Sequence, residues 1–147
     1  MIVLAIIALF AFLRTRIGPL TEPERFPLER TRPLSEREQV LYWRLRKVMP
    51  DQMVLAQVAV SRIVRVRKGH GFRGWMNRIN RMTVDFLVCL PDGTIIAAIE
   101  LDDASHDVHG RLVADTKKSK ALESAGIKLL RFREIPSEQE LRTTFLE

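Results

Sequence analysis

The spacing of hydrophobic residues predicts regular secondary structure over most of the chain. Residues 36–48 carry apolar side chains at helical spacing, and Ser35 with Glu38 matches the capping box that begins many helices. Residues 53–66 are rich in β-branched side chains, so they predict a strand, which we expect to break near Ser61.

The C-terminal half of the chain predicts a hairpin followed by three more elements. Residues 81–90 and 94–101 are apolar runs joined by Pro-Asp-Gly-Thr, a turn sequence in which glycine tolerates a positive φ, so they predict paired strands. The other predicted elements are a loop with one helical turn at 68–80, a helix at 110–125 closed by Gly126, a strand at 127–132 and a last helix. That last helix follows Ser137, which with Glu140 matches a second capping box. The order helix, strand, strand, strand, helix, strand, helix predicts an α/β fold with a mixed four-stranded sheet flanked by helices.

The N-terminal region differs in composition from the rest of the chain. Residues 1–13 contain no polar side chain, and two arginines follow within the next three positions. Because positive charge tends to stay in the cytoplasm, residues 1–17 predict an uncleaved anchor of a single-pass inner-membrane protein with its domain in the cytoplasm. The alternative is an apolar helix that packs on the domain. Residues 18–34 hold four prolines among charges and predict an extended linker, which leaves residues 35–147 as the globular domain.

Composition limits the classes of protein that fit this pattern. The 147 residues suit one domain with one core, and 24 Lys and Arg against 18 Asp and Glu give a net charge of +6. This basic balance favours a phosphate-rich partner or an anionic membrane surface. The single cysteine, Cys89, excludes an internal disulfide and a cysteine-rich zinc site, and its apolar surroundings predict a buried, inert thiol.

Three acidic residues interrupt or end the predicted hairpin strands. Asp85 lies between two apolar residues, and Glu100 ends the next apolar run, two positions before Asp102. A carboxylate among apolar residues needs a partner, and paired strands can bring these positions together, so we expect the three acids to converge. Converging carboxylates predict a binding site for Mg²⁺ or Mn²⁺. The alternatives are pairing of Asp85 with Arg81 or Arg131, and exposure of the other two acids at a strand end.

The segment after the hairpin adds further polar candidates. On the predicted helix, Arg111, Asp115 and Lys118 lie at i, i+4 and i+7, so they share one face that borders the apolar stripe and can face the acids. The alternative is an ordinary surface ion pair between Asp115 and Lys118. Histidine titrates near neutral pH, so His106 is a candidate proton carrier.

A basic stretch without acidic residues runs from residue 52 to residue 84. Its cationic and aromatic side chains suit phosphate contact and stacking on an unpaired base, so it predicts a nucleic-acid interface. The alternative is a basic face that is only solvated or that rests on anionic lipid headgroups. The candidate contacts are Arg62, Arg65, Arg67, Lys68, Phe72, Arg73, Trp75, Arg78 and Arg81, with Arg111 from the following helix.

Asp85 followed by Glu100 on the next strand, within this order of elements, resembles the PD-(D/E)XK nuclease superfamily. The sequences VDF, IELDDASH, AGI and LRF resemble the branch of the very-short-patch-repair endonucleases, and also a bacterial family of unknown function numbered 2726. The resemblance covers residues 35–133. It implies a restriction-endonuclease-like core that hydrolyses phosphodiester bonds of DNA or RNA, with DNA favoured, using Mg²⁺ (or Mn²⁺) and no small-molecule cofactor.

The resemblance also implies roles for individual residues. Asp85 and Glu100 would ligate Mg²⁺ with help from the backbone carbonyl of Leu101, and the metal would activate water and stabilise charge on the phosphate. Asp115 matches a further position of the short-patch-repair pattern. The implied catalytic residues are Asp85, Glu100, Asp102, His106 and Lys118.

One position departs from the superfamily pattern, because Asp102 stands where a lysine is expected two residues after Glu100. Asp102 cannot neutralise negative charge, so it would serve as another metal ligand, and Lys118 would supply the missing positive charge. Three functions stay open: a metal-dependent nuclease at the membrane, a catalytically inactive nucleic-acid-binding module of the same fold, and a structural membrane protein whose basic face meets lipid.

Overall fold

The computed structural model describes Phe12, residues 26–102 and residues 108–146. The chain divides into two compact units, Met1–Thr31 and Arg32–Glu147. In the first unit, residues 26–31 form neither helix nor strand. The second unit holds the sheet and the helices that pack on it.

The described part of the second unit alternates helices and strands. They are α1 (Glu36–Val48), β1 (Met53–Ala59), α2 (Val60–Ile63), α3 (Phe72–Ile79), β2 (Thr83–Cys89), β3 (Ile95–Leu101), α4 (Val108–Ser124), β4 (Leu129–Phe132) and α5 (Glu138–Leu146). The strands form one sheet in the order β1-β2-β3-β4, in which the first two pairings are antiparallel and β3 pairs with β4 in parallel. The predicted α/β fold, with a mixed four-stranded sheet flanked by helices, is confirmed.

Both predicted capping boxes are present. At the start of α1 the hydroxyl of Ser35 accepts a hydrogen bond from the Glu38 amide (3.3 Å), and the Ser35 amide donates to the Glu38 carboxylate (2.6 Å). Ser137 and Glu140 make the same two bonds before α5, at 3.2 and 2.7 Å. These bonds satisfy amides that have no partner inside the helix, which explains why local sequence located the helix starts correctly.

The region between β1 and β2 differs from the sequence-based expectation. The predicted strand 53–66 ends at Ala59, where α2 begins with the fully buried Val60. The predicted loop 68–80 contains the eight-residue helix α3, whose last residue, Ile79, is buried. The expected break near Ser61 is confirmed, but the strand does not resume over residues 64–66, and the predicted single helical turn is a longer helix, because contacts with the core as well as local periodicity determine this segment.

The sheet has a hydrophobic core on each face. One face packs against α1 and α5, with the buried side chains Leu41, Leu45, Phe86, Ile99, Leu101 and Leu141. The other packs against α2, α3 and α4, with the buried side chains Val60, Ile79, Leu87, Cys89, Ala98 and Leu122. The burial of Cys89 confirms its predicted environment. Successive strand residues point to opposite faces, so Glu100, between Ile99 and Leu101, lies on the side of α4.

The predicted single-pass location in the inner membrane is corrected by the structure. Among the described residues, no helix is long and apolar enough to cross a membrane. A span needs about 20 consecutive apolar residues, whereas α4 has 17 residues and contains several charges. Residues 1–17, on which the prediction rested, lie outside the described residues apart from Phe12.

Replacing Leu122 tests the packing that holds α4 on the sheet. Leu122 is fully buried, so Leu122→Ala leaves a cavity, and we expect the free energy of unfolding to fall by about 2–5 kcal/mol. Lys120→Ala, at an exposed position of the same helix, is the control and should change it by no more than about 0.5 kcal/mol. Urea denaturation followed by circular dichroism measures both, and equal effects would contradict this packing.

Candidate functional site

A row of polar residues crosses three strands of the sheet. The antiparallel register pairs Phe86 of β2 with Ile99 of β3, and its continuation by one residue places Asp85 opposite Glu100. The parallel register pairs Glu100 with Arg131 of β4. The strand pairing therefore brings together two acids that are fifteen positions apart in sequence, with a cation beside them.

Glu100 is the central residue of this row. Its side chain is buried, with 5% relative exposure, and it is the only buried polar or charged residue in the described part of the chain. The Lys118 ammonium from α4 contacts Oε1, and Arg131 Nη2 lies 3.2 Å from Oε2. Arg131 Nη2 also donates to the hydroxyl of Ser119 (3.2 Å). A buried carboxylate is stable only with such compensation, so these contacts offset part of the cost of burying Glu100.

Asp85 has a different partner from those that the sequence suggested. Its Oδ2 accepts a hydrogen bond from the Leu101 backbone amide (2.8 Å), while Arg131 pairs with Glu100 instead. The Asp85 side chain is half-buried. Its carboxylate is thus fixed against the end of β3, directly beside Glu100.

Burial raises the pKa of both carboxyl groups above their ordinary values. For Asp85, the nearby charges of Glu38 and Asp102 act in the same direction as burial, while the Leu101 hydrogen bond and Lys118 oppose it. For Glu100, burial outweighs the opposing effects of Lys118 and Arg131. Two adjacent acids are therefore held in surroundings that disfavour their negative charge, an arrangement typical of functional sites.

Asp102 lies just beyond the end of β3. Its amide donates to the carbonyl of Phe132 (2.8 Å), and its own carbonyl accepts from Arg37 Nη1 (3.3 Å). Among the described residues, no group of three or more His, Cys, Asp or Glu side chains could hold a metal ion. The structure thus pairs Asp85 with Glu100 but does not gather Asp102 with them into a three-carboxylate cluster.

Two residues near Asp85 were missed in the sequence. In the β1–β2 register Gln57 falls opposite Asp85, and its φ of 51° is unusual for a residue other than glycine. The Gln57 side chain donates to Glu38 Oε1 (2.6 Å), which brings a third carboxylate to this end of the sheet. The sequence signal that could have identified Gln57 was a glutamine within the apolar run of β1. Glu38 was interpreted only as part of the capping box.

The predicted residues of α4 are only partly described. Lys118 reaches Glu100, so it faces the acids. The side chains of Arg111 and Asp115, and the whole of His106, lie outside the described residues. Their assigned roles stay predictions.

The basic stretch is exposed to solvent. On α3, Phe72 and Trp75 have 63% and 50% of their surface exposed, and the Arg78 guanidinium lies 4.7 Å from the centre of the Trp75 ring. No ion pair within the described part of the chain involves the predicted basic contacts. The exposed basic residues are Arg62, Arg65, Arg67, Lys68, Arg73, Arg78 and Arg81. Their charges are therefore open to an anionic partner.

Replacing Asp85 tests the electrostatics of the site. The pKa of Asp85 is raised in the folded state, so the native protein loses stability as the pH rises from 3.8 through that raised value. Asp85→Asn cannot ionise and avoids this loss. We expect the variant to melt a few degrees higher at pH 7, with the advantage absent below the ordinary pKa of 3.8. Thermal unfolding between pH 3 and pH 8 measures this dependence.

Asp92→Asn, in the β2–β3 turn, is a control of opposite sign. The Thr94 amide donates to the Asp92 carboxylate (2.8 Å) and lowers its pKa, so this variant should lose stability at pH 7. A loss of stability in Asp85→Asn at neutral pH would show that burial does not dominate the electrostatics of that residue.

Comparison with known protein families gives a match. The family described as "Protein of unknown function (DUF2726)" matches residues 31–147. No curated protein and no solved structure matches the chain. Since the match spans most of the chain and includes every element of the sheet, the chain belongs to the DUF2726 family.

Proposed function

We propose that the second unit has a restriction-endonuclease-like core of the PD-(D/E)XK superfamily, similar to the very-short-patch-repair endonucleases, and hydrolyses phosphodiester bonds of nucleic acid. The observation that carries the proposal is the hydrogen bond that holds Asp85 against Leu101, next to Glu100, together with the contact of Lys118 with Glu100. Paired carboxylates beside a lysine provide metal ligation and charge compensation, the two requirements of metal-assisted phosphodiester hydrolysis. DNA is the favoured substrate.

The residues present fit Mg²⁺ (or Mn²⁺). Carboxylate oxygens are the ligands these ions prefer, and Mg²⁺ commonly takes only one or two protein carboxylates together with waters and substrate phosphate. Asp85 and Glu100 would therefore suffice without Asp102. When bound, the metal would supply an activated water and stabilise charge on the phosphate.

The chain's own residues orient this site. The Leu101 amide holds Asp85, and Arg131, fixed by Ser119, holds Glu100. Lys118 comes from a helix rather than from the strand position taken by Asp102, and its ammonium, in contact with Glu100, would meet a phosphate that arrives at the acids. Catalysis would thus use a lysine from α4, whereas the superfamily pattern places its lysine two residues after the glutamate.

The substrate would be held by the basic stretch. Its cationic side chains suit contact with phosphates, and the exposed rings of Phe72 and Trp75 suit stacking on unpaired bases. Arg78 against the Trp75 ring extends that flat surface with a positive charge. This combination favours nucleic acid with at least one unpaired base.

A second candidate is a nucleic-acid-binding module of the same fold without catalysis. It is supported by the contacts of Glu100, whose two oxygens each already face a cation, Lys118 or Arg131. It is also supported by Asp102 in place of the expected lysine. Binding through the basic stretch would need neither metal nor the acids.

Cleavage is tested with the purified 147-residue chain, labelled single- and double-stranded DNA, and Mg²⁺ or Mn²⁺. We expect metal-dependent cleavage that EDTA abolishes and that Asp85→Asn or Glu100→Gln reduces about 100-fold or more. Asp51→Asn, at an exposed position, removes the same charge and should leave the rate unchanged. Cleavage that persists in the variant carrying both Asp85→Asn and Glu100→Gln would refute the nuclease proposal.

Binding is tested separately by mobility shift in EDTA. Trp75→Ala should weaken single-stranded DNA binding about 5- to 100-fold, since stacking on one aromatic residue contributes about 1–3 kcal/mol per base. The control is Trp43→Ala on α1, which removes another exposed tryptophan, 68% exposed, outside the basic stretch. Tight binding in EDTA without cleavage under any metal condition favours the second candidate, and equal binding by the two variants removes Trp75 from the interface.

A further inference from the structure

We propose that Lys118 is an internal cation that pairs with Glu100 Oε1 when no metal is bound and would be displaced when a divalent metal binds. This role deepens the proposed function and depends on it, because it concerns how the same acids accept a metal. The observation that carries it is the contact of the Lys118 ammonium with Glu100 Oε1, while Arg131 holds Oε2.

The charges of Asp85, Glu100, Lys118 and Arg131 explain why a cation must leave when a metal binds. When ionised, Asp85 and Glu100 contribute two negative charges, and Lys118 and Arg131 match them with two positive charges. A divalent ion added to this buried group would place two more positive charges beside both cations. In surroundings of low polarity that repulsion is large, so metal binding and the Lys118 contact exclude each other.

The structure also indicates which cation leaves. Arg131 is in register with Glu100 on the neighbouring strand, and Ser119 accepts a hydrogen bond from the same guanidinium nitrogen that faces the carboxylate. Lys118 reaches the acid through a flexible four-carbon stem from α4, and Glu100 is the acceptor that the structure shows for its ammonium. Displacing Lys118 breaks one contact, whereas displacing the Arg131 guanidinium would break both its contact with Glu100 and its hydrogen bond to Ser119.

The released ammonium would stay close to the site, because α4 itself need not move. A substrate phosphate arriving at a metal on Asp85 and Glu100 would bring new negative charge to the same place. Lys118 would then exchange one oxyanion for another, from the carboxylate to the phosphate. Lys118 would thus balance the charge of Glu100 before metal binding and the charge of the phosphate after it.

The experiment measures Mn²⁺ affinity of the 147-residue chain without nucleic acid, by isothermal titration calorimetry and by the electron paramagnetic resonance of free Mn²⁺. Lys118→Met keeps the length of the side chain but removes the competing charge, so we expect Mn²⁺ to bind roughly tenfold more tightly. The control Lys120→Met removes the same charge from an exposed position of α4 and should change affinity by less than about twofold.

A second variant protects the test against loss of folding. Lys118→Gln retains a hydrogen-bond donor toward Glu100 without the charge, and it should also tighten Mn²⁺ binding. Circular dichroism melting establishes that both variants are folded. An unchanged or weaker Mn²⁺ affinity in a folded Lys118 variant overturns the proposal, as does an equal gain in Lys120→Met.

The DNA cleavage assay, run on the same proteins, separates this proposal from the proposed function. Tighter Mn²⁺ binding by Lys118→Met with no cleavage by any protein supports the displacement and refutes the nuclease. Cleavage by the native chain with unchanged Mn²⁺ affinity in Lys118→Met supports the nuclease and refutes the displacement. Absence of Mn²⁺ binding by every protein refutes both.

Discussion

The need to compensate one buried carboxylate connects the elements around the site. Glu100 lies in the interior of the sheet, where an unpaired negative charge would be severely destabilising. Its partners come from β4 and from α4, so neutralising it requires both the parallel β3–β4 pairing and the packing of α4 on the sheet. A hydrophobic residue at this position would need neither cation, so the retention of an acid at a cost in folding stability is consistent with a functional role.

The same end of the sheet shows a second departure from the most stable arrangement. Gln57 has a left-handed backbone conformation within β1, which costs an ordinary residue about 1 kcal/mol or more. Its side chain binds Glu38, and Glu38 in turn adds to the charge that raises the pKa of Asp85. Backbone strain and repulsion between acids thus occur together around Asp85, and neither would be expected in a strand that served only to build a core.

Sequence predicted those features of the fold that depend on local chemistry. The capping box fixed the start of α1, the glycine turn fixed the hairpin, and the two-residue period of strands placed Asp85 and Glu100 side by side. Features that depend on distant contacts could not be predicted in this way. The assignment of Arg131 to Glu100 rather than to Asp85 follows from the β3–β4 register, and α3 forms in a glycine-rich segment because Ile79 is buried against other parts of the chain.

The origin of the lysine has a consequence for how such a site can work. A lysine two residues after Glu100 would lie on the same strand face, held by the rigid sheet beside the acids. With Asp102 at that position, only the backbone of the residue bonds to the neighbouring strand, at Phe132. The positive charge comes instead from Lys118 on α4. A cation on a helix can approach or leave the carboxylate by side-chain rotation alone, without breaking strand hydrogen bonds. In the proposed nuclease site the positive charge would therefore be movable rather than fixed, and a bound metal would take over the compensation that Lys118 gives to Glu100.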